Sequence, residues 1–250
     1  MHPVLFTIGS WEIYSSHVFL ILAILVGVLV SWREARGIGF SNREVVSFWA
    51  AVLPFALILG LLNGLLFWFK FVHVGDTLFR PFSFGLVSFG VILGALFLGW
   101  VFAALRKLRV GPLLDLISVT LPLMLSIYRI GCLLNGCCYG VETDGFLGMF
   151  LPGQSGEWAY RFPTQIMLIF FNLALFIWLW LNRKNKPFEG SLTLAFLIVY
   201  SLGRLLIDAF RDLPHVLGPL SPHQLASIAI LLITLYICFE FWLARRARTH

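Results

Sequence analysis

The chain has 250 residues, of which 60% are hydrophobic and 12% are charged, and its formal net charge is +6. Soluble domains carry about 25% charged residues, so this composition excludes an ordinary water-exposed globular surface. A net positive charge is typical of proteins that bind anionic lipid headgroups as well as of those that bind nucleic acid. Membrane topology explains the charge of this chain better, so we expect no nucleic-acid partner.

Apolar runs long enough to cross a hydrocarbon core, which takes about 20 helical residues, fill most of the chain. They lie at Tyr14–Trp32, Val45–Phe69, Phe84–Leu105, Pro112–Asn135, Thr164–Asn182, Gly190–Phe210 and Pro222–Leu243. No Lys or Arg precedes the first run, as it would in a secretory signal, so we expect this run to stay as a helix. The sequence therefore predicts an all-α polytopic membrane protein with about seven transmembrane helices in a single domain over residues 1–250.

The loop charges predict the orientation of these helices. Four segments, which follow the first, third, fifth and seventh runs, each hold three Lys or Arg residues. The positive-inside rule places those segments in the cytoplasm. We therefore expect the N-terminus outside and the C-terminus in the cytoplasm.

Two of the remaining basic residues, Arg129 and Arg204, lie inside predicted spans. At a rise of about 1.5 Å per residue, Arg129 lies about 25 Å along a core of about 30 Å, and Arg204 lies at a similar depth. An arginine at the helix centre costs about 2.5–3.5 kcal/mol, and less toward the interface, so such residues usually have a function. Because guanidinium cannot lose its charge and its planar fork matches phosphate, we expect both to bind an anionic ligand.

Arg204, Asp208 and Arg211 follow each other at spacings of four and three, which places them on one helix face. Asp208 is able to pair with either arginine. The alternative is a structural ion-pair ladder that ties the sixth span to a neighbour, and for Arg211 this alternative has equal weight.

The chain has four cysteines, of which Cys132, Cys137 and Cys138 are close together and Cys238 lies in the last run. No CxxC or HxxxH partner accompanies the three, so we expect no metal ion. On the outer, oxidising side they form either a disulfide or tight packing between small side chains.

The end of the fourth span, Arg129–Gly140 (RIGCLLNGCCYG), carries three glycines. Irregular backbone at membrane depth is tolerated where it is buried in protein or lines a cavity. This segment resembles the signature of prolipoprotein diacylglyceryl transferases. Further elements agree with that family in order and spacing, and they are Phe162–Gln165 (FPTQ), Gly203–Arg211 (GRLLIDAFR) and Ser221–Ser227 (SPHQLAS). The resemblance runs from about Pro3 to Leu243.

Enzymes of this family move a diacylglyceryl group from phosphatidylglycerol to the lipobox cysteine thiol in the signal peptide of a preprolipoprotein. The resemblance implies the same two substrates here, no cofactor, and a site that faces the outer leaflet of the bacterial cytoplasmic membrane. It implies that Arg129 binds the lipid phosphate and that Arg204 is the essential arginine. Further substrate-binding positions fall on Asn135, Gly140, Gln165, Asp208, Arg211 and Gln224.

The chain departs from the family pattern in its first three spans. The family's third span has a His or Tyr where this chain has Phe89, which can move no proton, and the expected Tyr-Gly and Arg elements of the first two spans are missing. A free cysteine has a pKa of about 8.5, so its attack near neutral pH needs a proton acceptor. His17 and His223, at the outer ends of the first and last spans, are the candidate catalytic replacements, and the alternative for each is an interfacial histidine without a catalytic role.

Other functions stay open at this point. The changes at Phe89 and in the first two spans also suit a transferase with an altered donor or acceptor, or a non-catalytic relative that binds lipid or lipoprotein. Intramembrane charge also marks the permeation paths of transporters. The paired broken helices that many transporters carry are not apparent in this sequence.

Overall fold

The computed structural model describes residues 4–8, 11–71, 86–153, 157–213, 215 and 217–247. Within these residues the chain forms seven long helices: α1 (Ser15–Ala35), α2 (Asn42–Phe71), α3 (Leu86–Arg106), α4 (Val110–Asn135), α5 (Thr164–Asn182), α6 (Ser191–Asp208) and α7 (Pro222–Ala247). The helices agree with the predicted apolar runs to within about four residues at the described ends. The predicted start of the third run, Phe84, lies outside the described residues.

Six helical segments are long and apolar enough to cross a membrane, judged on the described side chains. They are Ser15–Ile38, Phe89–Arg106, Val110–Asn135, Thr164–Asn182, Ser191–Asp208 and Pro222–Ala244. The backbone of α2 is described throughout, whereas few side chains are described in its second half. The chain is thus a polytopic, mainly helical membrane protein, as its composition predicts.

Two short antiparallel hairpins correct the all-α prediction. Strands β1 (Val4–Ile8) and β2 (Trp11–Tyr14) precede α1, and strands β3 (Met149–Pro152) and β4 (Trp158–Arg161) precede α5. The second hairpin pairs Phe150 with Tyr160 across the strands, with ring centroids 5.6 Å apart. Such cross-strand aromatic contacts stabilise short hairpins that hydropathy does not detect.

Helix α4 lies at the centre of the bundle and packs against α1, α3, α5 and α6. Its contact with α1 depends on Gly131, where a Cβ would lie only 2.8 Å from Phe19 Cβ and 3.1 Å from Ser16 Cα. Small residues allow helices in membranes to approach this closely. The start of α1 is therefore held against the end of α4, which carries Arg129.

Asp115 of α4 fixes the start of α6. Its Oδ1 accepts hydrogen bonds from the Thr193 backbone N–H (3.0 Å) and hydroxyl (3.2 Å). Its Oδ2 accepts from the Gly190 N–H and the Lys186 ammonium, both at 2.9 Å. These contacts satisfy N–H groups that a helix start leaves without partners. They also set the register between the helices that carry Arg129 and Arg204.

Replacing Asp115 with Ala should destabilise the protein by about 3 kcal/mol, because the buried donors lose their shared acceptor. The measurement is the midpoint of thermal unfolding of the full chain in detergent. Glu189→Ala is the matched control, since it removes an exposed ion pair with Arg109 (2.7 Å) and should change stability by less than about 1 kcal/mol. Equal effects of the two substitutions would contradict this role for Asp115.

Candidate functional site: a buried arginine cluster

Helix α4 ends in a Schellman motif. Gly136 adopts a left-handed conformation (φ 71°), its N–H donates to the Leu133 carbonyl, and the Cys137 N–H donates to the Cys132 carbonyl. Glycine takes this conformation without steric cost, which explains the Asn-Gly pair at the end of the helix. Half-buried Asn135 is the last helical residue.

Gly140 joins the three sequence elements that carry the predicted site. Its N–H donates to the Phe162 carbonyl at 2.9 Å, and it forms an antiparallel bridge with Arg211. The Val141 N–H donates to the Phe210 carbonyl at 3.0 Å. A Cβ at Gly140 would lie 2.5 Å from the Phe210 oxygen, so this approach of backbones requires glycine. The structure thus gives Gly140 a role in joining these elements, and its substrate-binding role stays a prediction.

The start of α5 holds the segment that follows α4. The Thr164 hydroxyl donates to the Cys138 carbonyl at 2.7 Å, and Gln165 Nε2 donates to the Cys137 carbonyl at 2.9 Å. Gln165 Oε1 is buried and has no hydrogen-bond partner among the described residues. Gln165 therefore positions the loop through one end of its amide and has an acceptor left at the other.

On α6, Asp208 lies between two arginines, as the spacing predicts. Arg204 Nη2 is 2.9 Å from Asp208 Oδ2, and Arg211 Nη1 is 3.6 Å from Asp208 Oδ1. The side chains of Arg204 and Asp208 are fully buried. These ion pairs are close but poorly aligned, because no side-chain N–H of Arg204 has a hydrogen-bond acceptor within the described part of the chain.

Arg129 completes the group that we call the arginine cluster: Arg129, Arg204, Asp208 and Arg211. Arg129 is 4% exposed, and no ion pair is found for it in the described residues. The charges of all four members act on the ring of His223, so the cluster lies within electrostatic range of the start of α7. The cluster thus holds three guanidinium groups and one carboxylate, and that carboxylate pairs with Arg204 and Arg211.

Of the two candidate histidines, the structure brings only His223 to the cluster. His223 is 2% exposed, and neither ring nitrogen has a hydrogen-bond partner in the described region. His17 is exposed at the start of α1, where its ring packs edge-on against Tyr14 with centroids 5.8 Å apart. The sequence places both histidines at the outer end of a predicted span. The structure distinguishes them, because His223 is buried and His17 is exposed.

Gln224 has a structural role that the sequence analysis did not assign. Its Oε1 accepts from the Ser221 N–H at 3.0 Å, and its own N–H donates to Ser221 Oγ at 3.3 Å. This reciprocal pair is a capping box at the start of α7. The same two residues line an open cleft of about 390 Å³ together with Asp208 and Arg211. The cleft gives the cluster an approach from the end of α6.

Two aromatic residues form the inner wall of the site. Arg204 Cζ lies 5.4 Å from the centre of the Phe89 ring, within the range of a cation–π contact. Tyr200 packs edge-on against Phe89 at 5.8 Å, and it lies within electrostatic range of Arg129. Sequence reasoning missed Tyr200, although it precedes Arg204 by four residues and so shares its helix face.

Three thiols lie beside the cluster. Cys132, Cys137 and Cys138 are all free, and their sulfur atoms lie within 4.8 Å of one another. Hydrogen bonds from the Cys132 and Cys137 thiols hold the pKa of Cys138 well below its usual range, and the charges of Arg211 and Arg129 act in the same direction.

Comparison with known proteins points to one family. Residues 3–240 match the family described as prolipoprotein diacylglyceryl transferase. The phosphatidylglycerol–prolipoprotein diacylglyceryl transferase 2 of Clostridium perfringens is 34% identical, over 93% of this chain and 92% of its own length. Enzymes of the same name, without the number, from Dehalococcoides mccartyi (29% identical, 98% and 95%) and Clostridioides difficile (25% identical, 91% and 90%) are similar over comparable lengths.

Gly140→Ala should destabilise the folded chain by about 1–3 kcal/mol or more, because the added methyl group meets backbone oxygen atoms that cannot move aside. Thermal unfolding of the full chain in detergent measures this effect. Gly37→Ala is the matched control, since a Cβ at Gly37 meets no atom within 4 Å. Tolerance of both substitutions would show that the backbone contact at Gly140 is not required.

Proposed function

The chain belongs to the prolipoprotein diacylglyceryl transferase family, and we propose that it moves the diacylglyceryl group of phosphatidylglycerol to the lipobox cysteine of a preprolipoprotein. The observation that supports this reaction is the excess positive charge of the arginine cluster. Its members come from the two family elements that end α4 and α6. The proposal assigns phosphate binding to Arg129 and Arg204.

The hydrogen-bonding state of the cluster suits a phosphate ligand. All three side-chain nitrogens of Arg204, and Nε and Nη1 of Arg211, are buried without hydrogen-bond partners among the described residues. A buried charged donor without an acceptor is costly, so such groups usually bind an ion, a ligand or water. A phosphodiester offers several acceptor oxygens to these donors.

The charge balance of the cluster favours the transition state over the bound substrate. Three arginines and one aspartate leave a net charge of +2, whereas the phosphate of phosphatidylglycerol carries one negative charge. When the bond between the glyceryl carbon and the phosphate oxygen breaks, the leaving glycerol phosphate gains a second negative charge. Fixed positive charges in a buried site therefore interact more strongly as the reaction proceeds, which is electrostatic catalysis.

Other residues take supporting roles in this proposal. His223 is the proposed catalytic histidine, since it is buried, the charges of the cluster act on its ring, and neither ring nitrogen has a hydrogen-bond partner among the described residues. Gln224 lines the cleft, and Gly140 and Gln165 hold the backbone of the segment after α4. Asn135, at the end of α4, is proposed to bind the lipid headgroup. His17, at the exposed start of α1, is the alternative catalytic residue for a reaction in which the acceptor peptide binds there.

We also propose that α2 is a seventh span, that the N-terminus lies outside, and that the site opens to the outer leaflet of the bacterial cytoplasmic membrane. The basic residues Arg109 and Lys186 lie near the start of α6, and the arginine cluster lies at its other end. If the basic end is cytoplasmic, as the positive-inside rule requires, the cluster faces outward. A lipoprotein precursor and the headgroups of the outer leaflet both reach that side.

The test is transfer from radiolabelled phosphatidylglycerol to a lipobox peptide by the full chain in membranes. Arg129→Gln and Arg204→Gln should each lower the rate by about a hundredfold or more, because each removes charge stabilisation from the leaving phosphate. Arg106→Gln is the matched control at the exposed end of α3 and should leave the rate unchanged. A peptide with serine in place of the lipobox cysteine should accept no lipid.

Failure of the well-folded chain to transfer lipid, under conditions where an authentic transferase works, would overturn the proposed function. Lipid binding without any transfer would favour the non-catalytic alternative.

A further inference from the structure

The segment after α4 brings three sulfur atoms together, and one of them requires an unusual backbone. The Schellman motif by itself places Cys137 next to Cys132. Cys138 joins them only because its backbone adopts a φ of 67°, which is uncommon outside glycine. The Thr164 and Gln165 side chains bind the carbonyls of Cys138 and Cys137 and so hold this conformation.

The sulfur positions suit a metal ion better than a disulfide. A disulfide would use two sulfurs and leave the third out. A tetrahedral zinc site with Zn–S distances of about 2.3 Å holds its sulfurs about 3.8 Å apart. The three sulfur atoms already lie within 4.8 Å of one another, so shifts of about 1 Å or less would supply three of the four ligands of such a site.

The three cysteines leave the fourth coordination position of a zinc ion open for an external ligand. Within the described residues, the group of possible metal ligands contains the three cysteines and no histidine or carboxylate. Three protein ligands with one open position are the pattern of catalytic rather than structural zinc. Cys132 follows Arg129 by one helical turn, and Cys138 lies within electrostatic range of Arg129 and Arg211. The three cysteines therefore lie beside the proposed phosphate site.

We propose that Cys132, Cys137 and Cys138 bind one zinc ion whose open position takes the thiol of the acceptor cysteine, an inference that rests on the proposed function. Coordination to zinc deprotonates a thiol, and the proton goes to water. The thiolate sulfur then forms a bond with the glyceryl carbon while the carbon–oxygen bond breaks, and the electron pair leaves with glycerol phosphate. No electron transfer is needed, and the metal performs the proton removal that Phe89 cannot.

The first test measures zinc in the full chain, purified in detergent with zinc and a phosphine reductant, by mass spectrometry of the metal. The wild type and Cys238→Ser, the matched control in α7, should hold equimolar zinc. Each single substitution Cys132→Ser, Cys137→Ser or Cys138→Ser should weaken zinc binding, and the triple serine variant should hold none. Equal zinc in the wild type and the triple variant, or none in either, would overturn the site.

The second test asks whether the acceptor thiol is a ligand. With Co²⁺ in place of zinc, a lipobox peptide should change the visible cobalt spectrum, and the same peptide with serine should not. A cobalt spectrum that the cysteine peptide leaves unchanged would overturn thiol coordination. Neither measurement needs turnover, so both are independent of whether the chain transfers lipid.

The third test links the site to the reaction. Because a zinc-bound thiol is already deprotonated, transfer by the wild type should vary little between about pH 6 and 8, while the residual rate of the triple serine variant should rise with pH toward the free-thiol pKa of about 8.5. Wild-type rates and pH dependence in the triple variant would overturn the metal role and leave the proposed transferase function intact. No transfer by the wild type would instead count against the transferase function.

Discussion

Three buried guanidinium groups lie at the ends of α4 and α6 with one carboxylate, which pairs with two of them, and the rest of the site is arranged around this charge imbalance. Arginine keeps its charge under physiological conditions, so the imbalance cannot be relieved by losing a proton. Burial away from water strengthens every interaction within the cluster. The same features that make the cluster costly in an empty protein make it a strong binding site for a phosphate group.

The fold holds the cluster from two directions. At one end of α6, Asp115 of α4 binds the first N–H groups of the helix and sets the register of the pair. At the other end, the Gly140 and Val141 N–H groups donate to the Phe162 and Phe210 carbonyls, which joins the segment after α4 to the residues that precede α5 and follow α6. Because contacts at both ends fix α4 against α6, the two like charges of Arg129 and Arg204 are held in place although they repel each other. A preorganised charge of this kind does not have to rearrange as the phosphate leaves.

The sequence predicts much of this arrangement. Hydropathy predicts all seven helices, since long apolar runs have few other structures in a membrane. The spacing of Arg204, Asp208 and Arg211 predicts their ion pairs, because helix geometry alone decides it. Helical periodicity does not encode the two hairpins, the burial of His223 or the approach of Tyr200 to Phe89. The capping role of Gln224 is a local Ser-x-x-Gln signature that the sequence analysis overlooked. The three cysteines show the same limit, since their spacing suggested no metal and the folded loop brings their sulfurs together.

The central claim is that the arginine cluster binds the phosphate of a phospholipid. The most direct test is equilibrium binding of fluorescent phosphatidylglycerol to the full chain in neutral nanodiscs. Loss of a hydrogen-bonded charge should weaken binding by at least about tenfold in Arg129→Gln and in Arg204→Gln, with no change in Arg106→Gln. Unchanged affinity in both cluster variants, with the fold intact, would contradict the account.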